Sequence, residues 1–543
     1  MGGKWLRRQS ISVPLNAFFG LLVLFFFFLI VSTVHSPLPF LSQNKFFLYL
    51  NWIVFIGLIA LTPSPSGRGL NLGLTLLECL GVPLILYGFL QHFGYDPKEW
   101  TPWTGRIFST LGNADHFGGI ISILFSLSLI RLMMRLDLWR FLLMGGEFLA
   151  LGWSYTRAPF VALFIAGLTV SILFHKFFSF GSKLLRVSLL ATLILLILAF
   201  VYHSTEGRRF DPRFWKNDPD IVGRKYLFEK GVEVLTLHPW TGIGPGSFSF
   251  SYLLMRGDEP VFYRTRLAIG ESTHNTFLDL FAETGMPGGV LFLFLWLMVL
   301  YRLARKIAID RQANRFDLLS IFVPLLVAFF VLQFIFPDVS LMALSGYLLG
   351  LGISRTCETS EIKTFALKPP FRVIFVILLV IFSGLIILYT SRYTLADRLK
   401  RQGDRELNQN HAAAAVPLFD EAAIWDPWEP SLYQKLGKAY ELSKNPEKAL
   451  LSYNHAVALN PNDPYVWADI GRLAAFSGWR KRALTAYVNA VDLDPYNPIL
   501  YHDAALTAVT FNAYGLASYY DREARRLSPT NQKIGTIKLE KSP

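Results

Sequence analysis

The chain has 543 residues, of which 52% are hydrophobic, and a formal net charge of +13. This length exceeds that of one globular domain, and the mean hydropathy of +0.38 is typical of an extensive membrane region. Two cysteines are too few for a disulfide framework or a cysteine-ligated zinc site. The basic excess is concentrated in residues 1–390, with 33 Lys and Arg against 22 Asp and Glu, in loops beside apolar segments. That pattern is typical of membrane topology and argues against a nucleic-acid partner.

The first apolar segment follows Lys4, Arg7 and Arg8 and extends from residue 11 to 34. It is longer than the core of a signal peptide and lacks a small-residue cleavage site, so it predicts an uncleaved first span. A helix needs about 20 residues to cross a bilayer. On that basis we predict an all-α, polytopic membrane domain of about 11–12 spans over residues 1–391. The predicted spans lie near residues 11–34, 46–62, 70–90, 117–134, 139–155, 158–178, 183–203, 275–301, 317–336, 339–354 and 371–391.

Basic residues alternate between the two ends of these spans. If the N-terminus is cytoplasmic, the cytoplasmic loops hold most of the Lys and Arg, which is the positive-inside arrangement of helical membrane proteins. The sequence therefore predicts that the 204–274 loop and everything after residue 391 lie outside the cytoplasm. The residues that support this are Arg131, Arg135, Arg140, Lys176, Lys183, Arg186, Arg302, Arg305, Lys306, Arg311, Arg315, Arg355, Lys363, Lys368 and Arg372.

Two arginines lie on the predicted outer side. Arg157 begins the sixth span, and Arg224 lies within the 204–274 loop. Guanidinium groups bind phosphate oxygens in a bidentate manner and stay charged where solvation is poor. The pair therefore suits a lipid-linked diphosphate, while either one alone also fits an interfacial arginine that meets lipid headgroups.

Three glycines, Gly242, Gly244 and Gly246, follow His238-Pro239 in the same loop. Their spacing does not match the dinucleotide fingerprint, and no Gly-Lys-Ser/Thr follows them. We therefore predict a tight turn that shapes the loop, and no nucleotide site.

His274 stands where this loop enters an apolar helix. A neutral imidazole can accept a proton from a hydroxyl, which suits a general base, but a helix-capping or interfacial histidine is the alternative. Glu283 lies nine residues further on, about 13.5 Å deeper and roughly half a turn away from His274. We expect no direct contact between the two, and both a pairing of Glu283 with an arginine and a catalytic role remain open. The sequence contains no Asp-x-Asp or His-Glu-x-x-His motif, so no metal site is predicted.

Residues 392–532 contain a repeat with a period of 34 residues. This period, with small residues where paired helices cross and proline at the turns, is typical of the tetratricopeptide repeat. Four copies predict an α-solenoid with a concave surface for a protein partner, followed by a tail at 533–543. The matching columns are Gly403, Gly437, Gly471 and Ala505; Ala415, Ala449, Ala483 and Ala517; Ala422, Ala456, Ala490 and Ala524; and Pro427, Pro461, Pro495 and Pro529.

The membrane domain also resembles a known family. The pattern H-N-x-x-L-x-x-x-x-E-x-G-x-P-G beginning at His274, with Arg224 ahead of H-P-x-x-G-x-G at His238, resembles the O-antigen ligase and O-antigen polymerase family of bacterial envelope glycosyltransferases. The resemblance covers about residues 100–345. Family members usually carry Gly-Asn-Pro-Asn where this chain has Gly112-Asn113-Ala114-Asp115, and the departure weakens the transfer of any role to Asp115 or His116.

The resemblance implies a GT-C-type fold and a metal-independent, cofactor-free, inverting glycosyltransferase. Such an enzyme takes a glycan from an undecaprenyl-diphosphate carrier in the bilayer and passes it to an acceptor hydroxyl. His274 would assist deprotonation of that hydroxyl, while Arg157 and Arg224 hold the donor diphosphate. Asn275 and Glu283, which match the family pattern, would support the site.

The acceptor stays open: a glycolipid (ligase), another carrier-linked glycan (polymerase) or a protein serine (oligosaccharyltransferase) fits the same motif. Two functions from other classes are an inorganic-carbon transporter and a scaffold. The transporter is disfavoured because the ionisable residues cluster on the outer side and no paired, interrupted helices are evident in the sequence.

Overall fold

The computed structural model describes residues 11–14, 17–61, 67–96, 106–174, 219–255, 272–310, 312–357, 362–365 and 369–527. These residues form nineteen α-helices, one 3₁₀ turn and two four-residue strands. The all-α prediction is confirmed, with the strands as a small addition. The helices up to residue 408 are α1 (Ala17–Val34), α2 (Pro39–Leu61), α3 (Gly67–His92), α4 (Ala114–Met134), α5 (Leu138–Trp153), α6 (Arg157–Leu173), α7 (Pro219–Leu237), α8 (Phe248–Met255), α9 (Thr276–Ile309), α10 (Gln312–Val331), α11 (Val339–Thr356) and α12 (Pro369–Asn408).

Five stretches within the described helices are long and apolar enough to cross a membrane, as expected of a multi-pass membrane protein. They are Ala17–Val34, Ser42–Ala60, Gly69–His92, Ala114–Met134 and Thr276–Ile309. The other predicted spans coincide with helices as well, except 183–203, which lies outside the described residues. The predicted 204–274 loop, where it is described, is partly helical, because α7 and α8 lie within it.

The predicted first span is too long at its start. Its helix begins at Ala17, and residues Ile11–Pro14 form a strand instead. This strand pairs antiparallel with Ile362–Phe365, with Ile11 opposite Phe365.

The core of the membrane domain is built around α9. Its Phe277, Phe292 and Trp296 form a chain of aromatic contacts, with ring centroids 5.1 Å apart for the first pair and 6.3 Å for the second. Glycines allow α11 to approach α2 closely, since a Cβ on Gly350 would lie 2.6 Å from Cβ of Ile59. Small residues at helix crossings are typical of membrane bundles, where close packing replaces the hydrophobic drive.

The second part of the chain is a stack of helix pairs. It comprises α13 (Ala412–Trp425), α14 (Pro430–Leu442), α15 (Pro446–Leu459), α16 (Pro464–Phe476), α17 (Arg480–Leu493), α18 (Pro498–Thr510) and α19 (Tyr514–Leu527), with the end of α12 as the first member.

The 34-residue glycine column has a direct structural reason. A Cβ on Gly403, Gly437 or Gly471 would lie within 2.7 Å of an aromatic ring sixteen residues later in the next helix. The fourth repeat has Ala505 in this column and Asp521 instead of a ring. Where the ring is absent, the glycine is not needed.

The same period appears in the backbone at the turn inside each helix pair. Asn410, Lys444, Gly478 and Asn512, each 34 residues apart, all have positive φ, between 57° and 74°. A left-handed residue after a helix is the usual way to end it, and asparagine and glycine tolerate that conformation best.

The boundary between the two parts has no separate linker. The predicted division at residue 391 falls inside α12, a single helix of 40 residues. Leu399 and Gly403 of this helix pack against Phe419 of α13. The predicted last span and the first repeat helix are therefore one continuous element.

Candidate functional site

His274 is held in a short loop that ends at the N-terminus of α9. Asn275 caps the helix, and its side-chain oxygen accepts hydrogen bonds from the backbone N–H groups of Phe277 and Leu278, each at 3.0 Å. His274 itself has φ of +56°, in the left-handed region that non-glycine residues rarely adopt. The cap therefore fixes a strained residue just outside the helix.

Asp279, which sequence reasoning missed, anchors the same loop from inside the helix. Its Oδ1 accepts hydrogen bonds from the backbone N–H and the hydroxyl of Thr273, at 2.7 and 2.8 Å. Its side chain is fully buried. The available signal was an acidic residue in the first turn of an apolar helix, where the helix dipole favours a negative charge.

Arg224 projects from α7 toward the segment after α10. Its Nη1 donates to the carbonyl oxygen of Phe334 at 3.1 Å, and its Nη2 lies 3.0 Å from Oδ2 of Asp115. His274 reaches the same segment, because its ring meets Phe336 edge to face with 5.6 Å between centroids. The structure thus brings together two predicted residues that are fifty positions apart in the sequence.

Asp115 lies at the centre of this arrangement, although the departure from the family pattern argued against giving it a role. Its Oδ1 is 2.5 Å from Nη2 of Arg106, so that one carboxylate joins two arginines. His116 is drawn in too, with its Nε2 3.2 Å from the carbonyl oxygen of Phe336.

Arg157 begins α6 at the edge of this network. The preceding residue, Thr156, accepts a hydrogen bond from Arg106 through its hydroxyl at 2.9 Å and donates one to the carbonyl of Ala114 at 2.9 Å. The start of α6 is therefore tied to the start of α4. We refer to Arg106, Asp115, Arg224 and His274 together as the arginine-histidine cluster; Arg157 begins α6 directly after Thr156, which bonds Arg106.

Glu283 belongs to a different cluster and has a different partner from the one expected. It forms an ion pair with Lys45 of α2, at 2.7 Å, and not with an arginine. The same Oε1 accepts a hydrogen bond from the backbone N–H of Gly246 at 3.0 Å. Sequence reasoning missed Lys45, because a lone lysine at the edge of an apolar segment gives no hint of a partner 238 residues away.

The turn that contains Gly242, Gly244 and Gly246, here called the glycine turn, packs against α9 at the position of Glu283. Helix α9 is interrupted at Gly285, which has φ of +72°, and Pro287 follows. Proline has no N–H, so the carbonyl of Glu283 loses its helical partner. The N–H of Gly244 donates to that carbonyl at 2.9 Å instead. The backbone N–H of Ile243 likewise donates to the carbonyl of Ala282, at 3.2 Å.

Close contact makes the glycines necessary. A Cβ on Gly242 would lie 2.2 Å from the carbonyl oxygen of Glu283, and one on Gly244 would lie 2.3 Å from Cβ of Ser36. All three turn glycines, Gly242, Gly244 and Gly246, have positive φ. The predicted tight turn is present, and it fills the break in α9.

Within the described ranges, no group of three or more His, Cys, Asp and Glu side chains is placed to hold a metal ion.

Comparison with known families gives two matches. Residues 139–293 match the model described as O-Antigen ligase, a range that contains Arg157, Arg224, His274, Asn275 and Glu283. Residues 430–463 match the model of the tetratricopeptide repeat.

Individual proteins match more weakly. The chain is 36% identical over 65 residues to tetratricopeptide repeat protein 36 of Caenorhabditis briggsae, covering 12% of this chain and 36% of that protein. Among solved structures, it is similar to MamA, with 18% identity, 25% of this chain and 81% of that one covered, and a TM-score of 0.24. It is also similar to YrrB, a TPR protein with an unusual peptide-binding site, with 20% identity, 28% and 84% covered, and a TM-score of 0.24.

Proposed function

The chain is a helical membrane protein that carries an O-antigen ligase domain and tetratricopeptide repeats, and from this we propose that it transfers a glycan in surface polysaccharide assembly. The donor is a glycan linked to undecaprenyl diphosphate, and the acceptor is a hydroxyl group. The reaction takes place on the periplasmic face of the bacterial inner membrane. We favour the ligase type, in which the acceptor is a glycolipid.

One observation supports the proposal above the others. Arg224 and His274 both contact the same segment, Phe334 to Phe336. A cation suited to a diphosphate and a base suited to a hydroxyl are thus in one cluster at the start of α9. Such proximity is what a transfer between two bound substrates requires.

The proposed step is a single displacement. His274 accepts the proton of the acceptor hydroxyl as its oxygen attacks the anomeric carbon. The bond from that carbon to the diphosphate oxygen breaks, and the oxygen leaves with the electron pair. The configuration at the anomeric carbon is therefore inverted in the product. Arg157 and Arg224 stabilise the negative charge of the departing lipid diphosphate. No metal is needed in this scheme, since the guanidinium groups balance the leaving group.

Asn275 and Glu283 support the reaction by holding neighbouring segments of the site in place. Asn275 caps α9 and so fixes the loop that presents His274. Glu283 holds the glycine turn against the break in α9. A polymerase or a protein O-oligosaccharyltransferase would use the same groups with a different acceptor.

A transporter is the alternative from another class, and the break in α9 is the feature that bears on it. Ion-coupled transporters use the freed backbone groups of interrupted helices to coordinate ions. Here the carbonyls of Ala282 and Glu283 are occupied by Ile243 and Gly244. The break therefore does not favour transport.

Two arginine variants and a glycan profile test the proposal. Arg157→Lys and Arg224→Lys keep the charge but lose the bidentate fork. Each should lower transfer at least about tenfold in a complemented deletion strain, while Arg305→Lys, at the opposite end of α9, should not. Carrier-linked chains should accumulate in the deletion strain, and a chelator should leave transfer by the purified protein unchanged.

The outcomes separate the alternatives. Acceptors that carry single repeats would indicate a polymerase instead of a ligase. Full activity of both lysine variants would refute diphosphate binding by these arginines.

A further inference from the structure

Asp115 is the one acidic side chain described in the arginine-histidine cluster, and it lies where an anionic ligand of Arg224 would be expected. The two oxygens of its carboxylate are divided between two cations, Oδ1 to Arg106 at 2.5 Å and Oδ2 to Arg224 at 3.0 Å. A carboxylate that bridges two guanidinium groups resembles, in charge and in spacing, one phosphate group bound by both.

The two arginines are not held equally. Arg106 also donates from Nε to the carbonyl of Ser154 at 2.9 Å and from Nη2 to the hydroxyl of Thr156 at 2.9 Å. Its side chain is 19% exposed, against 33% for Arg224. Among the described residues, Arg224 has one further hydrogen-bond partner, the neutral carbonyl of Phe334. Arg224 is therefore the cation that can be exchanged at the lower cost.

Asp115 would not be left uncompensated by such an exchange. It would keep its ion pair with Arg106, which is itself held by Ser154 and Thr156. This matters because a partly buried carboxylate without a partner is strongly destabilising.

The charges agree with a diphosphate. Arg106, Arg157 and Arg224 together with Asp115 carry a net charge of +2. A lipid-linked diphosphate diester carries about −2 near neutral pH, because each of its two phosphates has one acidic proton.

We propose that Asp115 is an internal counter-ion that occupies Arg224 in the empty site and releases it to the donor diphosphate, with Arg106 as a third arginine of the donor site. The inference rests on the proposed function, because it takes the ligand to be a lipid diphosphate. Asp115 acts through Arg224 and is a positioning residue, not a catalytic one.

The test is binding of farnesyl diphosphate, a short prenyl diphosphate, to the full-length protein in detergent. Asp115→Asn keeps the shape of the side chain and removes the competing charge. It should bind the probe about tenfold more tightly at low salt, since a unit charge a few ångströms from the ligand is removed from a poorly solvated site. Arg106→Gln should bind the probe more weakly than the parent.

Three controls make the result specific. Asp137→Asn neutralises another arginine-paired aspartate, the N-cap of α5, and it should leave binding unchanged. In an Arg224→Gln background, Asp115→Asn should tighten binding less than twofold, because the exchanged cation is gone. Asp115→Ser provides a second neutral variant if the asparagine protein does not fold.

The failure of this inference differs from that of the proposed function. If the parent binds farnesyl diphosphate and both neutral variants bind it equally or more weakly, Asp115 is not a competing counter-ion. If the parent does not bind the probe at all, the diphosphate donor itself is refuted and the inference with it.

Discussion

The backbone conformation of His274 sets it apart from the other histidines that the structure describes. A left-handed conformation costs a non-glycine residue roughly 1–2 kcal/mol, and the surrounding bonds from Ser272, Thr273 and Asn275 hold it there. Ser109 and Tyr155 are the other non-glycine residues with positive φ in the described membrane domain, and Tyr155 lies between Ser154 and Thr156, which both accept hydrogen bonds from Arg106. Strain that collects around one cluster is typical of functional sites.

Replacing the imidazole should abolish transfer without loss of protein. We expect His274→Ala to lower the transfer rate by about 10²–10⁴-fold, the usual cost of losing a general base. The measurement is glycan transfer by purified protein, normalised to the amount inserted in the membrane.

A matched control is His35→Ala, which removes an exposed histidine whose ring, among the described residues, bonds the carbonyl of Val31 in the last turn of α1. It should transfer at the parental rate. Near-parental transfer by a well-inserted His274→Ala protein would remove His274 from the proposed mechanism.

At the residue scale, the sequence allowed prediction of local motifs but not of partners that lie far away along the chain. His274 and Asn275 could be singled out because a polar pair before an apolar helix predicts a cap and a presented side chain. Arg106 could not be assigned, because its role depends on Asp115 and on Thr156, which lies fifty residues away. An arginine partner was one alternative for Glu283, and the structure has Lys45 there instead, because the position of Lys45 depends on how α2 packs beside α9.

At the scale of elements, the glycine turn and the break in α9 form one unit. The turn supplies N–H groups to the carbonyls that the break exposes, and the N–H of Met286 in turn donates to the carbonyl of Pro239 at 2.7 Å. In a membrane, a freed backbone group must find such a partner within the protein. The turn and the helix should therefore fold and unfold as one cooperative unit.

Adding one methyl group to the turn should be enough to show this. Gly242→Ala introduces a Cβ 2.2 Å from a carbonyl oxygen at a φ of +66°. Backbone strain and overpacking together should destabilise the membrane domain by about 2–5 kcal/mol. The measurement is the thermal unfolding midpoint in detergent.

Gly167→Ala is the control, because a Cβ there has no neighbour within 4 Å in α6. Its midpoint should be unchanged or slightly higher, since alanine is the better helix former. Equal midpoints for the two alanine variants would show that the turn does not support the bundle.

The sequence predicted most elements but not the break. Period and apolar length located the spans, since these depend on local composition. The 275–301 segment was expected to be a single span, yet Gly285 and Pro287 interrupt its helix. Whether glycine followed by proline kinks a membrane helix or opens it depends on a partner such as the 238–246 turn, and that partner is far away in the sequence.

At the scale of the whole molecule, the repeats have cores of their own. Buried residues of α17, α18 and α19 cluster around Tyr487 and Tyr520, and those of α15 and α16 cluster around Tyr453. Repeat stacks of this kind depend mainly on contacts between neighbouring repeats. The membrane domain should therefore not need them in order to fold.

Truncation after Arg392 tests this independence. We expect the shortened protein to insert and to bind farnesyl diphosphate as the parent does, while transfer to the native acceptor falls, because the repeats recruit the acceptor or a partner protein. Donor binding and transfer should be measured on the same purified sample. Unimpaired transfer would assign the repeats to a separate partner, and loss of donor binding would contradict their independence.

The unbroken helix α12 has a geometric consequence for any molecule that the repeats hold. Forty residues span about 60 Å, of which a bilayer core takes about 30 Å. The helix thus fixes both the height of the repeat stack above the bilayer and the rotation of the stack about the helix axis. Insertion or deletion of a single residue near Ser391 would rotate the repeat stack by about 100° relative to the membrane domain. Without altering any repeat, such a change would turn the concave face from one neighbour toward another.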